Sequence, residues 1–215
     1  MLKKYKFLII VTAIICLLPM VAGVILWDQL PEQIPSHWGV DGEVDGWSSK
    51  PFAVFFFPAF LCAMHLICIF ASTFDPKRKN YSPQMFQLVL WICPVLSLLL
   101  NTIVYCFATG YDLLNVPVII SMVVGIMFII VGNYLPKCRQ SYTMGIKLPW
   151  TLNDEGNWNA THRVGGWVWM LCGVAVLVTA FLGIFWILIG VLLIAVLVPT
   201  VYSYLYYRKH MKDEE

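Results

Sequence analysis

The chain has 215 residues, of which 60% are hydrophobic and only 12% charged, and its mean hydropathy is +0.78. A soluble domain carries about 25% charged residues, so this composition excludes a soluble enzyme or a soluble nucleic-acid-binding module as the body of the chain. The net charge of +2 is a small difference between larger, segregated charges.

The N-terminus is basic from Met1 to Lys6, and Phe7 to Trp27 is apolar. A secretory leader has a shorter apolar region and a small-x-small cleavage site, so this run is expected to stay as a first span, with a kink at Pro19. Further runs lie at Phe52 to Thr73, Phe86 to Ala108 and Val116 to about Gly132. Val164 to Lys209 has room for two spans with a tight reversal near Gly183. Each run approaches the roughly 20 residues that cross a bilayer. The sequence thus predicts an all-α polytopic membrane protein with six transmembrane helices.

The cations give this arrangement a direction. Thirteen of the fourteen Lys and Arg fall on segments 1–6, 74–85, 134–163 and 208–215, with six acids. The opposite side keeps Lys50 alone against Asp28, Glu32, Asp41, Glu43, Asp45 and Asp112. Lys and Arg mark cytoplasmic loops, so both termini are expected inside. Two regions follow: 1–110, three spans with an extracytoplasmic loop at 28–50, and 111–215, three spans with a cytoplasmic loop at 134–163.

The outer loop reads DQLPEQIPSHWGVDGEVDGWSSK. Pro31 and Pro35 favour extended backbone, and a loop this long with two tryptophans is of the kind that carries function. His37, Trp38, Asp41, Glu43, Asp45 and Trp47 are its candidate ligand-binding residues, an acidic and aromatic set suited to a cationic, amphipathic ligand. Asp41, Glu43 and Asp45 alternate as in a calcium loop, yet Phe52 stands where the bidentate Glu belongs. His37 with Asp41 lacks a third ligand at transition-metal spacing. Neither a metal nor a cofactor is expected.

Within the spans, His65 is the one clear ionisable residue, and intramembrane ionisable groups are candidate functional sites. Depth along the helices matches it to Ser97 better than to Asn101, as a neutral interhelical hydrogen-bonder. The seven cysteines are odd in number, form no CxxC and lie mostly in apolar runs, which fits small buried side chains.

The stretch 132–166 is the least lipid-like part of the chain. Thr151 and Asp154 suggest a capped helix start, after which Trp158, Thr161, His162, Gly165, Trp169 and Cys172 share one helical face. Gly165 and Gly166 permit close helix approach. Asp154 lies about 12 Å from His162 along one helix, and no catalytic motif is present, so an enzyme is not expected. No basic stripe with interleaved aromatics suggests nucleic acid.

The pieces NYLPK, GIKLPWTL and W-x-x-THR-x-x-G in this stretch resemble the C-terminal signature of the SdpI family of bacterial membrane proteins. The outer loop resembles the IPxHWxxxGxxDGWxSK motif that accompanies many of them. The resemblance implies a multi-pass protein of the bacterial plasma membrane giving immunity to a secreted peptide toxin. It also implies that the protein could signal by holding a transcriptional repressor at the membrane. By the same likeness Asn133, Pro136, Lys137, Gly145, Lys147, Pro149, Trp150, Thr151, Trp158, Thr161, His162 and Arg163 form a functional cytoplasmic motif. The sequence departs from the family at Lys147, where Arg is usual, and at Ser141, where Asn is common; Lys does not reproduce a bidentate guanidinium contact. A small transporter or exporter, and then a membrane-embedded enzyme of envelope metabolism, are the alternative readings.

Overall fold

In the computed structural model, which describes residues 2–39, 43–111, 115–184 and 186–211, six helices are long and apolar enough to cross a membrane. They are α1 (Leu2–Ile25), α2 (Phe57–Phe74, continued from a π-helical turn at Phe52–Phe56), α3 (Pro83–Ala108), α4 (Val116–Tyr134), α6 (Glu155–Phe181) and α7 (Ile187–Met211). A single short helix, α5 (Pro149–Asn153), precedes α6. The reversal between α6 and α7 turns at Gly183, whose φ of +69° is open to glycine at no steric cost.

The chain forms two compact units, 1–74 with 86–116, and 75–85 with 117–215. In the first, the loop after α1 is not a loose turn. It forms a two-stranded antiparallel hairpin, β1 (Gln33–Trp38) and β2 (Val44–Ser49), which sequence reading left as extended backbone with turns. Ile34 pairs with Ser48 and Pro35 with Trp47, and the register is irregular around His37. His37 faces Gly46, where an added Cβ would lie 2.7 Å from the His37 Cβ. Only glycine lets the strands approach there.

Ile34 and Leu30 are buried with Ala53, Val54 and Tyr105, so the hairpin base and the ends of three spans share one core. Lys50, the lone cation of this region, is itself buried. Its Nζ contacts the Glu32 carboxylate at 2.9 Å and the Trp27 carbonyl at 3.2 Å, and lies over the Trp27 ring. It clamps the hairpin to the end of α1.

α1 runs through Pro19 without a break. The hydroxyls of Ser97 and Tyr105 donate to the Cys16 and Pro19 carbonyls at 2.8 and 3.2 Å, supporting the backbone around a residue that donates nothing to the helix. His65 is fully buried, but its partner is the Thr12 hydroxyl of α1 at 2.9 Å rather than Ser97. Helix depth alone matched the wrong neighbour: Ser97 turns to the Cys16 carbonyl, and Thr12, which itself donates to the Leu8 carbonyl, is the hydroxyl that meets the ring. All seven cysteines are free thiols.

In the second unit, α4 and α6 pack backbone to backbone. A Cβ at Gly132 would fall 2.8 Å from the Gly166 carbonyl oxygen, and one at Gly125 2.9 Å from that of Gly173. The two glycine pairs are seven residues apart on each helix and run antiparallel. Lipid gives no hydrophobic drive for helices to associate, so such close contact is what the bundle has to work with. Sequence reading anticipated Gly166 here; Gly165 instead receives the Ile146 side chain.

Candidate functional site

The segment joining α2 to α3 and the segment joining α4 to α6 fold into one polar knot, held from three directions.

The first fastening is Asp75, 2% exposed at the end of α2. Its Oδ1 accepts from the Lys77 backbone N–H at 2.7 Å, and its Oδ2 accepts from the Tyr142 N–H, the Thr143 N–H and the Thr143 hydroxyl at 2.9, 3.0 and 3.0 Å. The Tyr81 hydroxyl donates to the same oxygen at 2.6 Å and also contacts the Thr143 hydroxyl. Burial works to raise the Asp75 pKa, but the hydrogen bonds from Tyr81, Lys77, Thr143 and Tyr142 outweigh it and hold the carboxyl below its ordinary range. Burial and this carboxylate together push Tyr81 up to about 12. Nearby, Lys77 Nζ donates to the Gln140 side-chain oxygen at 2.5 Å, and Gln140 Nε2 donates to the Thr151 and Leu152 carbonyls.

The second fastening is the Trp158–His162 stack, ring centroids 4.0 Å apart at 22°, which the i, i+4 spacing predicts. Trp158 Nε1 donates to the Cys138 carbonyl at 2.8 Å. The Ile146 N–H lies 2.8 Å from His162 Nε2, and Nδ1 lies 2.7 Å from the Trp158 carbonyl. A backbone N–H can only donate, so Nε2 accepts and Nδ1 carries the hydrogen: a neutral imidazole with a fixed tautomer. Gly145 lies on this stack with φ +108°, and a Cβ there would come within 2.4 Å of Nε2. Both its conformation and its space demand glycine.

The third fastening ties in α5 and α7. Thr151 Oγ1 accepts from the Leu148 N–H at 2.9 Å and donates to the Ile146 carbonyl at 2.9 Å. Trp150 Nε1 donates to the Ser203 hydroxyl at 2.7 Å, which donates to Asn157 Oδ1 at 3.0 Å; Thr161 donates to the same oxygen at 2.9 Å. The expected single capped helix is therefore two. Thr151 serves α5, while Asp154 caps α6 by accepting from the Gly156 N–H at 2.7 Å.

The residues singled out in sequence divide accordingly. Gly145, Trp150, Thr151, Trp158, Thr161 and His162 lie inside the knot, and Pro136 packs where a Gly166 Cβ would stand, 2.7 Å from its ring. Asn133, Lys137, Lys147, Pro149 and Arg163 are exposed. Lys147 Nζ reaches the Thr143 carbonyl at 3.2 Å, a single contact that needs no guanidinium, and Ser141 is buried with its hydroxyl on Met144. Sequence reasoning missed Asp75, Gln140, Asn157 and Ser203. Asp75 alone left a signal, as an isolated acid among the cations of its segment.

In the hairpin, His37 Nδ1 lies 2.5 Å from Asp45 Oδ1, so the partner of His37 is Asp45. Asp41 falls outside the described residues. Glu43 and Asp45 are exposed. Trp47 is 56% exposed, whereas Trp38 meets Phe107 edge-on at 5.7 Å. Among the described residues no three His, Cys, Asp or Glu come together as a metal site would require.

Comparison with known proteins finds two family models along the chain. A family model described as a domain of unknown function, DUF1648, matches residues 14–62, and that of the SdpI/YfhL protein family matches residues 137–203. The second match contains the part of the knot from Lys137 to Ser203, while Asp75, Lys77 and Tyr81 lie outside both matches. Over 208 residues the chain is 30% identical to the immunity protein SdpI of Bacillus subtilis (strain 168), an alignment spanning 93% of this chain and 96% of that protein. The chain belongs to the SdpI family. No solved structure gives a significant match. The SdpI signature in this chain is thus, physically, the inventory of a folded connector: its glycines, tryptophans, Thr161 and His162 are spent on one another and on backbone.

Proposed function

We propose that this SdpI-family protein is a membrane immunity protein, protecting the bacterial plasma membrane that holds it against a secreted antimicrobial peptide. The observation that carries the reading is the full-length likeness to an immunity protein, across both the DUF1648 and the SdpI regions.

The charge split supports an orientation with both termini inside, the hairpin outside and the knot inside. In that orientation the hairpin offers the peptide Glu43, Asp45 and the exposed ring of Trp47, with Glu32 projecting beside them. A cationic amphipathic peptide is the complementary partner. We read the action as binding rather than chemistry. The one histidine of the knot has both nitrogens engaged, by Ile146 and Trp158, which leaves neither free to shuttle a proton.

The test is binding of the purified toxin peptide to the full-length protein in lipid nanodiscs. Exposed charge contacts are screened over about 10 Å at 0.1 M salt. Affinity is expected to fall between low and high salt, and to fall at low salt in the Glu43→Gln/Asp45→Asn variant. Salt-independent binding, unchanged in the double variant, would remove the hairpin charges from the account.

A further inference from the structure

A cleft of about 570 Å³ opens in the second unit where the α2–α3 connector meets the end of α4, lined by Lys79, Ser82, Tyr134, Lys137 and Arg139 among others. That volume is in the range of small-molecule sites, about 300–1,000 Å³. Three cations face it and no carboxylate lines it. Like charges at close quarters repel unless an anion sits among them. Among the described residues, the side chains of Lys79 and Arg139 make no hydrogen bond or ion pair; Arg139 is engaged only through its carbonyl, by the Cys138 thiol. Lys137 makes only a 3.4 Å contact to Asn133 and lies over the Tyr134 ring at 5.2 Å. Ser82 accepts from the Met85 N–H at 3.2 Å, capping α3, and its own hydrogen has no acceptor among the described residues. The cleft therefore also looks onto the positive end of a 26-residue helix.

We propose that this cleft binds the phosphate headgroup of an anionic phospholipid. The shared chemistry, a phosphate among cations and hydroxyls, fits free phosphate equally well. What selects lipid is the apolar track that leads to it. Ile126 and Ile130 are 47% and 42% exposed and stand eight and four residues before Tyr134, on one face of α4. They form an exposed apolar stripe that ends at the cleft mouth. A phosphate held by Lys79, Lys137 and Arg139 sets its acyl chains along that stripe, and a soluble anion gains nothing from it. Basic pockets at helix ends are known to take lipid headgroups in this manner.

The full-length protein in a neutral detergent, titrated with phosphatidylglycerol or phosphatidylcholine and weighed by native mass spectrometry, reads the site directly. One phosphatidylglycerol per chain is expected to be retained in preference to phosphatidylcholine. Lys79→Gln/Lys137→Gln/Arg139→Gln should weaken it at least tenfold, and Lys209→Gln should not. Ser82→Asp guards against a folding artefact, because Asp also caps a helix while placing a negative charge in the cleft; it too should expel the lipid. Equal retention of both lipids, or unchanged phosphatidylglycerol affinity in both cleft variants, would overturn the proposal. So would displacement of the lipid by equimolar sodium phosphate, which would mark a free-anion site, or by an oligoglutamate peptide, which would mark a protein-docking site.

Discussion

Asp75 and Thr143 stand 68 positions apart in the chain, yet the Asp75 carboxylate accepts both the backbone N–H and the hydroxyl of Thr143, each at 3.0 Å. Through that contact the segment after α2 and the segment after α4 are held against each other. Alternating crossings would bring these two segments to one side, and the contact rests on hydrogen bonds rather than on charge counting.

Asp75→Asn turns one acceptor into a donor facing the N–H groups of Tyr142 and Thr143. A loss of about 1–3 kcal/mol is expected, the cost of leaving buried polar groups unpaired. The pH dependence has a definite sign. The folded pKa of Asp75 is below its ordinary 3.8, so its contribution is complete above that value and is lost as pH falls through the folded pKa. In detergent melts, the wild-type advantage over Asp75→Asn should be constant near neutrality and shrink below about pH 4.

His162→Ala removes the acceptor of the Ile146 N–H and half of a ring stack. Because His162 is 1% exposed with both nitrogens engaged, membrane abundance and protection should fall together. Quantifying membrane-fraction protein and cell survival in the same cultures checks this. Normal abundance with lost protection would give His162 a direct functional role that its burial argues against.

Gly132→Ala places a methyl group 2.8 Å from the Gly166 carbonyl oxygen and from the Met170 backbone nitrogen. Neither neighbour is a flexible side-chain end, so α4 and α6 must separate. Overpacking of this kind costs about 1–3 kcal/mol, visible as a lowered melting temperature. Gly190→Ala, with open space around it, should change little.

Orientation is measurable with introduced cysteines. Ser49 in the hairpin and Asn153 at the end of α5 are both exposed. Above the wild-type background, Ser49→Cys should react with an impermeant maleimide in intact cells, and Asn153→Cys only after permeabilisation. The opposite pattern would invert the proposed topology.

The six spans were legible because length and apolarity suffice to mark a membrane helix, and the polar face of α6 because Trp158, Thr161 and His162 repeat with helical period. The hairpin was not. Its strands carry Pro35 and Gly46, which count against a strand, and it is held by the buried Lys50 clamp and by Ile34 packing on Val54, contacts between residues about 20 apart. The partner of His65 was misjudged because every hydroxyl at similar depth is an equal candidate until helix packing decides which one faces the ring. Asp75 escaped notice for a related reason, and Asn157 because only the packing of α7 brings Ser203 to it. An acid in a connector looks solvated until the opposing loop brings its N–H groups.

The central claim is that this chain confers immunity, and cell survival tests it most directly. Bacillus subtilis cells lacking their own SdpI, expressing this chain at a membrane level verified by immunoblot, are co-cultured with toxin-producing cells and counted. The account predicts survivors well above the empty-vector control, reduced by Glu43→Gln/Asp45→Asn at equal protein level. Survival no better than the vector, with the protein present in the membrane, would contradict it.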